Sequence, residues 1–185
     1  MKKHLAFLTV FVLISFSSIA KEWKIIPSES KIEFSAYRFG AKVDGKFTNF
    51  SGKIIFDKDN LEKSSADINV DTSSINVSFP YATPILKTQK WFDAENFPTA
   101  KFMAKKFTKV SDRVFKAEGE LTIKNITRPV VIQFVLEQFS MDGQAKAVAS
   151  LMLSRADFNI GTNDSQAEGI KNDVDVNFVV SASAR

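Results

Sequence analysis

A chain of 185 residues with 25 basic and 21 acidic side chains carries a formal charge of only +4, with no cysteine and one histidine, His4. That balance excludes the basic face of a nucleic-acid binder. The missing thiols exclude a disulfide framework, so a core must be held by packing alone.

The first twenty residues read as a removable secretory signal. Lys2 and Lys3 form a positive start, Leu5 to Phe16 is apolar apart from Thr9 and Ser15, and Ser18 and Ala20 place small residues before a cut after Ala20. About a dozen apolar residues are too few for a membrane anchor, since a ~30 Å hydrocarbon core takes about 20. No cysteine follows the cut to carry a lipid. Residues 21–185 are then one mature domain. Loss of Lys2 and Lys3 leaves 23 basic against 21 acidic residues, a charge of +2, and fifteen of the eighteen phenylalanines stay. Each such ring contributes roughly 1.5–3 kcal/mol when buried. Asn49, Asn76, Asn125 and Asn163 sit in glycan-acceptor triplets. A short Lys-Lys signal on a disulfide-free domain reads as bacterial, and there these triplets are incidental.

Past the signal, alternation of period two recurs and no long helical period does. Ile32, Phe34 and Ala36 share one face; so do Ala66, Ile68 and Val70. Phe115 to Ile123 predicts a long strand with Lys116, Glu118, Glu120 and Thr122 opposite. Val130 to Leu136, Ala147 to Leu153 and Val174 to Val180 repeat the pattern, and weaker strands cover 43–47, 52–57 and 101–107. Eight or nine strands joined by short polar turns predict an antiparallel meander. Such a sheet must close or fold over to protect its edges, so a barrel or a sandwich follows. One short helix is expected over Pro84–Phe92, with Thr83 as N-cap and Pro84 at the first helical position. The chain leaves it through 93–98.

The mature chain has no histidine or cysteine, which removes Ser-His-Asp and Cys-His arrangements, an imidazole base, Cys/His metal sites and covalently attached haem. Ser28-Glu29-Ser30-Lys31 has the S-x-x-K spacing but runs into a strand, where positions three apart face opposite ways. Asp57-Lys58-Asp59-Asn60 hints at a calcium loop, yet Glu62 and Ile68 stand where that loop needs Gly and Glu. A polar hairpin turn is the better reading. Asp173 and Asp175 share the polar face of a strand and read as a solvated edge. No enzyme, no cofactor and no metal site is expected.

Several ordered pieces then suggest a family. Trp23-x-Ile25-x-Pro27-x-x-Ser30-x-Ile32-x-Phe34, followed by Val43-x-Gly45-x-Phe47-x-x-Phe50-x-Gly52-x-Ile54-x-Phe56-Asp57, resembles the opening of the YceI-like family of periplasmic polyisoprenoid-binding proteins. Leu86…Trp91-Phe92-Asp93…Phe97-Pro98…Phe102, Gly119 to Ile123 with Thr127 to Val130, Ser154-Arg155-Ala156-Asp157-Phe158, and the closing 173–180 stretch continue the resemblance in order. Three departures stand out. Thr83-Pro84-Ile85-Leu86 replaces an Asp-x-His-Leu, Lys124-Asn125 replaces a His-Gly, and Ile26 replaces the Asp before Pro27. Any head-group role of those histidines is therefore not carried over.

The resemblance implies an all-β fold, a lipocalin-like antiparallel β-barrel of about eight strands with one short helix. It also implies a periplasmic carrier whose interior holds an isoprenoid or similar long-chain amphiphile. An eight-stranded barrel has room for one small ligand, and each isoprene unit costs roughly 3–4 kcal/mol to keep in water. Phe34, Phe47, Phe50, Phe92, Phe102, Phe134 and Phe158 are the candidate lining residues, with ordinary core packing as the competing role of each. Arg155 ends an apolar alternation, and an arginine there is expensive unless paired. It either pairs with Asp157 or donates to the ligand's head group. The expected partner is the lipid, with no nucleic acid or metal; transient membrane contact and a homodimer are left open. The alternative is a closed-core periplasmic module acting through its surface, in stress protection or as a partner. An outer-membrane barrel would need aromatic girdles, and the chain has two Trp and two Tyr.

Overall fold

A computed structural model describes residues 21–140 and 143–184; the leader expected over residues 1–20 lies outside the described residues. Alternation becomes eleven strands among the described residues. These are β1 (Lys21–Ile25), β2 (Lys31–Arg38), β3 (Ala41–Phe47), β4 (Phe50–Phe56), β5 (Ser65–Asp71) and β6 (Ile75–Val77), then β7 (Thr99–Lys109), β8 (Val114–Ile123), β9 (Ile126–Phe139), β10 (Gln144–Ser154) and β11 (Asp173–Ala184). The hydrogen-bonded order β1-β4-β5-β7-β8-β9-β10-β11 returns to its start, because β11 also pairs with β1 through Trp23↔Ala184 and Ile25↔Ala182. The fold is a closed eight-stranded antiparallel barrel, in which the β9–β10 ladder is short and runs only from Ala145↔Phe139 to Ala149↔Phe134.

Three strands beyond eight arise from breaks in the wall. β2 continues β1 along the same side of β11, with Lys31↔Val179 to Ser35↔Asp175. Between them Pro27, which has no N–H to give a ladder, opens a 3-10 turn over Pro27–Glu29. Ser30 closes the break: its hydroxyl donates to the Ile26 carbonyl at 2.8 Å and accepts from the Ser181 N–H at 3.0 Å. β3 runs on into β4 across Thr48 and Asn49, and β6 continues β5 after a 3-10 turn at Thr72–Ser74. β2, β3 and β6 thus form a flap on the wall, and β6 pairs with β3 alone. Thr72, 1% exposed, pins the foot of the flap by donating from its hydroxyl to the Phe97 carbonyl and from its N–H to that of Pro98.

The helix differs from expectation. α1 spans Ala82–Leu86, starting two residues early and ending six early, and Thr83 is not its cap. The Thr83 hydroxyl instead accepts from the Val77 N–H at 3.4 Å, serving the flap. A five-residue helix is not self-sustaining, and Ile85 and Leu86 hold it by packing on the core around Trp91 and Phe158. Beyond Leu86 the chain folds into turns that bury Trp91.

Candidate ligand cavity

Strand parity sends Trp23, Ile54, Phe56, Phe107, Phe134, Leu136 and Ala182 to one end of the barrel, where they pack around Phe115. The rings of Phe56, Phe107, Phe115 and Phe134 meet at 5.4–6.5 Å between centroids. The Trp23 indole donates to the Phe56 carbonyl at 3.0 Å, so this plug leaves no orphaned donor. The other end is capped by α1, the turns that follow it and residues 155–170, with Trp91, Phe158, Ile160 and Ala167 at their centre.

Between plug and cap lies a cavity of about 220 Å³ whose 27 lining residues are all apolar. It exceeds the ~150 Å³ that suffices for benzene in an engineered core. The reason is side-chain size. Seven lining positions are alanine, namely Ala66, Ala100, Ala117, Ala145, Ala147, Ala149 and Ala182, three of them in a row of inward positions on β10. The lining runs along β10 from Ala145 to Leu153, about 26 Å of strand at ~3.3 Å per residue. The outer face is polar. Lys53–Glu22, Lys101–Asp67, Lys106–Glu118 and Lys146–Glu137 bridge neighbouring strands there. An apolar inside with a charged outside is the reverse of a membrane-spanning barrel's polarity.

Of the expected lining residues, Phe50, Phe102 and Phe134 face the cavity. Phe34, Phe47 and Phe92 are not among its lining residues; they form a line of rings, 5.7 and 5.6 Å between centroids, from the flap to the cap. Phe34 lies over Gly45, where any Cβ would sit 2.3 Å from its ring. Phe158 belongs to the cap core. Much of the cavity wall is aliphatic, with Ile32, Ile68, Leu121, Ile132, Leu151 and Val180 among its members.

Arg155 does not pair with Asp157. Alternation stops at Ser154, and a 3-10 turn over Arg155–Phe158 swings the side chain toward later residues. Its guanidinium donates to the carbonyls of Ile160 (2.7 Å), Ile170 (3.1 Å) and Lys171 (3.1 Å), stapling the cap segment to itself. Lys124, noted above only as a departure from the family pattern, is a second staple. It sits at the β8–β9 turn, where Lys124 and Asn125 both have positive φ. Its ammonium donates to the carbonyls of Gln89 and Asn159, one from each half of the cap. Partial burial lowers its pKa, with Asp93 acting the other way. Trp91 links the halves again by donating to Asp164 at 2.9 Å. The Asp57–Asn60 segment is a turn in which the Asp57 carboxylate accepts from the N–H groups of Asp59 and Asn60. Among the described residues, no three His, Cys, Asp or Glu side chains are grouped to hold a metal ion.

Residues 23–182 match the family model of the YceI-like domain. A UPF0312 protein of Vibrio vulnificus strain YJ016 is 28% identical over 179 residues, spanning 89% of this chain and 95% of that protein. Among solved structures, BcnA of Burkholderia cenocepacia superposes with a TM-score of 0.80 at 22% identity, over 86% of this chain and 99% of that one. A polyisoprenoid-binding domain from Saccharophagus degradans, implicated in plant cell wall breakdown, superposes with a TM-score of 0.72 at 14% identity, over 88% and 98%. At such identities the superpositions speak for fold. The family-model match, covering nearly all the described residues, makes this chain a member of the YceI-like family.

Proposed function

We propose that the protein is an exported carrier that holds the apolar tail of an isoprenoid or similar long-chain amphiphile inside its barrel. The observation that carries this reading is the cavity itself, a wall of 27 apolar residues with no charged or hydroxyl side chain among them. Burying a chain there gains roughly 0.8 kcal/mol per carbon, and such a lining has nothing with which to perform a reaction on it. Phe50, Phe102 and Phe134 touch the tail, while Phe34, Phe47 and Phe92 mark its way toward the cap. The polar end stays outside the lining, near the cap. Arg155 has three of its five donors engaged with carbonyls, so it acts there as a scaffold first. The signal pattern of residues 1–20 supports secretion, cleavage after Ala20 and residence in the periplasm.

Mass spectrometry of lipid extracted from protein purified out of its native host tests the carrier reading. Recovery of a long-chain amphiphile in near-stoichiometric amount is the expected result. Native protein that yields none, and that fails to take up an added polyprenyl phosphate, sinks it in favour of a surface-acting module. N-terminal sequencing of the exported form is expected to begin Lys-Glu-Trp; retention of Met1 would refute the export half of the reading.

A further inference from the structure

Three aromatic rings at the capped end stand in water, with Phe39 72%, Phe79 61% and Tyr81 88% exposed. Phe39 is on the β2–β3 turn, and Phe79 and Tyr81 are in the link from β6 to α1. The ladders put them at one end of the flap. Gly45↔Val77 and the Ser78 N–H to the Asp44 carbonyl carry the link alongside β3, a few residues and roughly 10–15 Å from the turn. The Phe39 N–H donates to the Gly169 carbonyl, which ties the turn to the cap. Phe39 holds its ring there at φ 49°, a conformation that costs a bulky residue.

Two cations lie beside the β2–β3 turn. The Arg38 guanidinium lies 5.6 Å from the Phe39 ring, and the Lys171 ammonium lies 5.6 Å from that of Tyr37. Among the described residues neither of these, nor Lys87 just past α1, has a carboxylate within ion-pair distance. Of the acids nearby, Asp44 is engaged by Lys42 and Ser35 and Asp175 lies opposite Ser35, which leaves Glu168 and Asp173 on either side of Lys171 in the chain. Arg38 donates from Nε to the Glu168 carbonyl at 3.3 Å, which leaves the rest of its guanidinium for a ligand. Protruding aromatics with such carboxylate-free cations near them suit an interfacial layer of lipid head groups, where rings sit at the head-group level and cations meet phosphates.

We propose that the rim of Phe39, Phe79 and Tyr81 docks the barrel, capped end first, on an anionic phospholipid bilayer. The plugged end is packed around Phe115 at 1% exposure, so docking by the rim brings the other end of the cavity to the lipid. The inference adds a place of loading to the carrier reading and is tested apart from it, because flotation needs no lipid in the cavity.

The experiment is flotation of the purified protein with vesicles of phosphatidylglycerol and phosphatidylethanolamine. The parent is expected to float, with binding weakened about tenfold per ring removed in Phe39→Ser, Phe79→Ser and Tyr81→Ser combined. Arg38→Gln, Lys87→Gln and Lys171→Gln are expected to weaken binding to these vesicles and not to vesicles of phosphatidylcholine. A parent that stays at the bottom of the gradient, or a triple serine variant that floats as well as the parent, overturns the proposal. So does a dimer that the serine variant abolishes in the absence of vesicle binding, since the rim would then belong to a second copy. If the triple variant does not fold, Tyr81→Ser alone carries the test.

Discussion

Ala149→Leu tests directly whether the barrel interior is space or packing. Ala149 lies on β10 between Phe134 of β9 and Phe178 of β11, pointing into the cavity. Leucine adds three carbons. If they enter empty apolar space, the lipid-free protein gains about 2 kcal/mol at ~0.8 kcal/mol per carbon. For a domain of this size that raises the melting temperature by about 4–8 °C. The same carbons occupy room that a ligand tail would use, so affinity for a long-chain probe should fall about thirtyfold. Calorimetry on delipidated protein and titration with a fluorescent polyprenyl analogue measure the two effects. Opposite signs are the signature. A filled core would instead be overpacked and lose about 1–3 kcal/mol, so a lowered melting temperature with unchanged affinity would refute the argument.

Other outcomes follow from the cap. Arg155→Met is expected to cost about 2 kcal/mol in urea denaturation by orphaning three carbonyls, with lipid retained; loss of lipid at unchanged stability would reassign Arg155 to the head group. Gly161→Ala should cost about 1–3 kcal/mol, because φ is +65° and the new Cβ would sit 2.8 Å from the Trp91 ring. A variant as stable as the parent would contradict that geometry. Asp71 is held below the usual carboxylate range first by the Ser73 hydroxyl, and Asp164 first by the Gln166 N–H and then by the Trp91 indole. Each lowered pKa contributes stability that is complete above the unfolded value near ~3.9. It is lost as pH falls toward the folded value. Denaturation midpoints should therefore drop on acidification below about pH 4, and Asp71→Asn with Asp164→Asn should shrink the drop; an unaltered slope would count against both assignments.

What the sequence disclosed and what it hid divide along physical lines. Long strands such as β8 and β9 were legible because alternation runs unbroken from Phe115 to Ile123 and from Val130 to Leu136 and turns one face inward. β1 and β6, of five and three residues, were missed because each ends at a break in the wall before a period can establish itself. The short helix was displaced because Trp91 and Phe92 are drawn into tertiary contacts that local propensity does not see. Reading for aromatics found three of the lining residues, but the hollow is made by the small ones. Ala147 and Ala149 stood in the sequence as ordinary inward positions, with Ala145 one step before them, and their lack of bulk was the available signal. Arg155 was noticed for the right cost, but of its two expected partners Asp157 is not the one it meets, since the carbonyls of Ile170 and Lys171 come from fifteen or more residues downstream.

The closure of the wall by β11 on β1 sets an order on folding. The two ends of the described chain are ladder neighbours, at Trp23↔Ala184, and β11 alone joins β10 to both β1 and β2. A chain emerging N-terminus first has no partner for the outer edge of β1 and β2 until β11 arrives. Such distant pairings are slow to form, and without cysteine no covalent bond can hold an intermediate in the meantime. Stop codons or C-terminal truncations within β11 should then abolish the whole barrel rather than trim it. A circular permutant that joins the ends near Lys21 and Ala184 and opens the exposed 57–60 turn should fold, and fold faster, because it makes the longest-range pairing local.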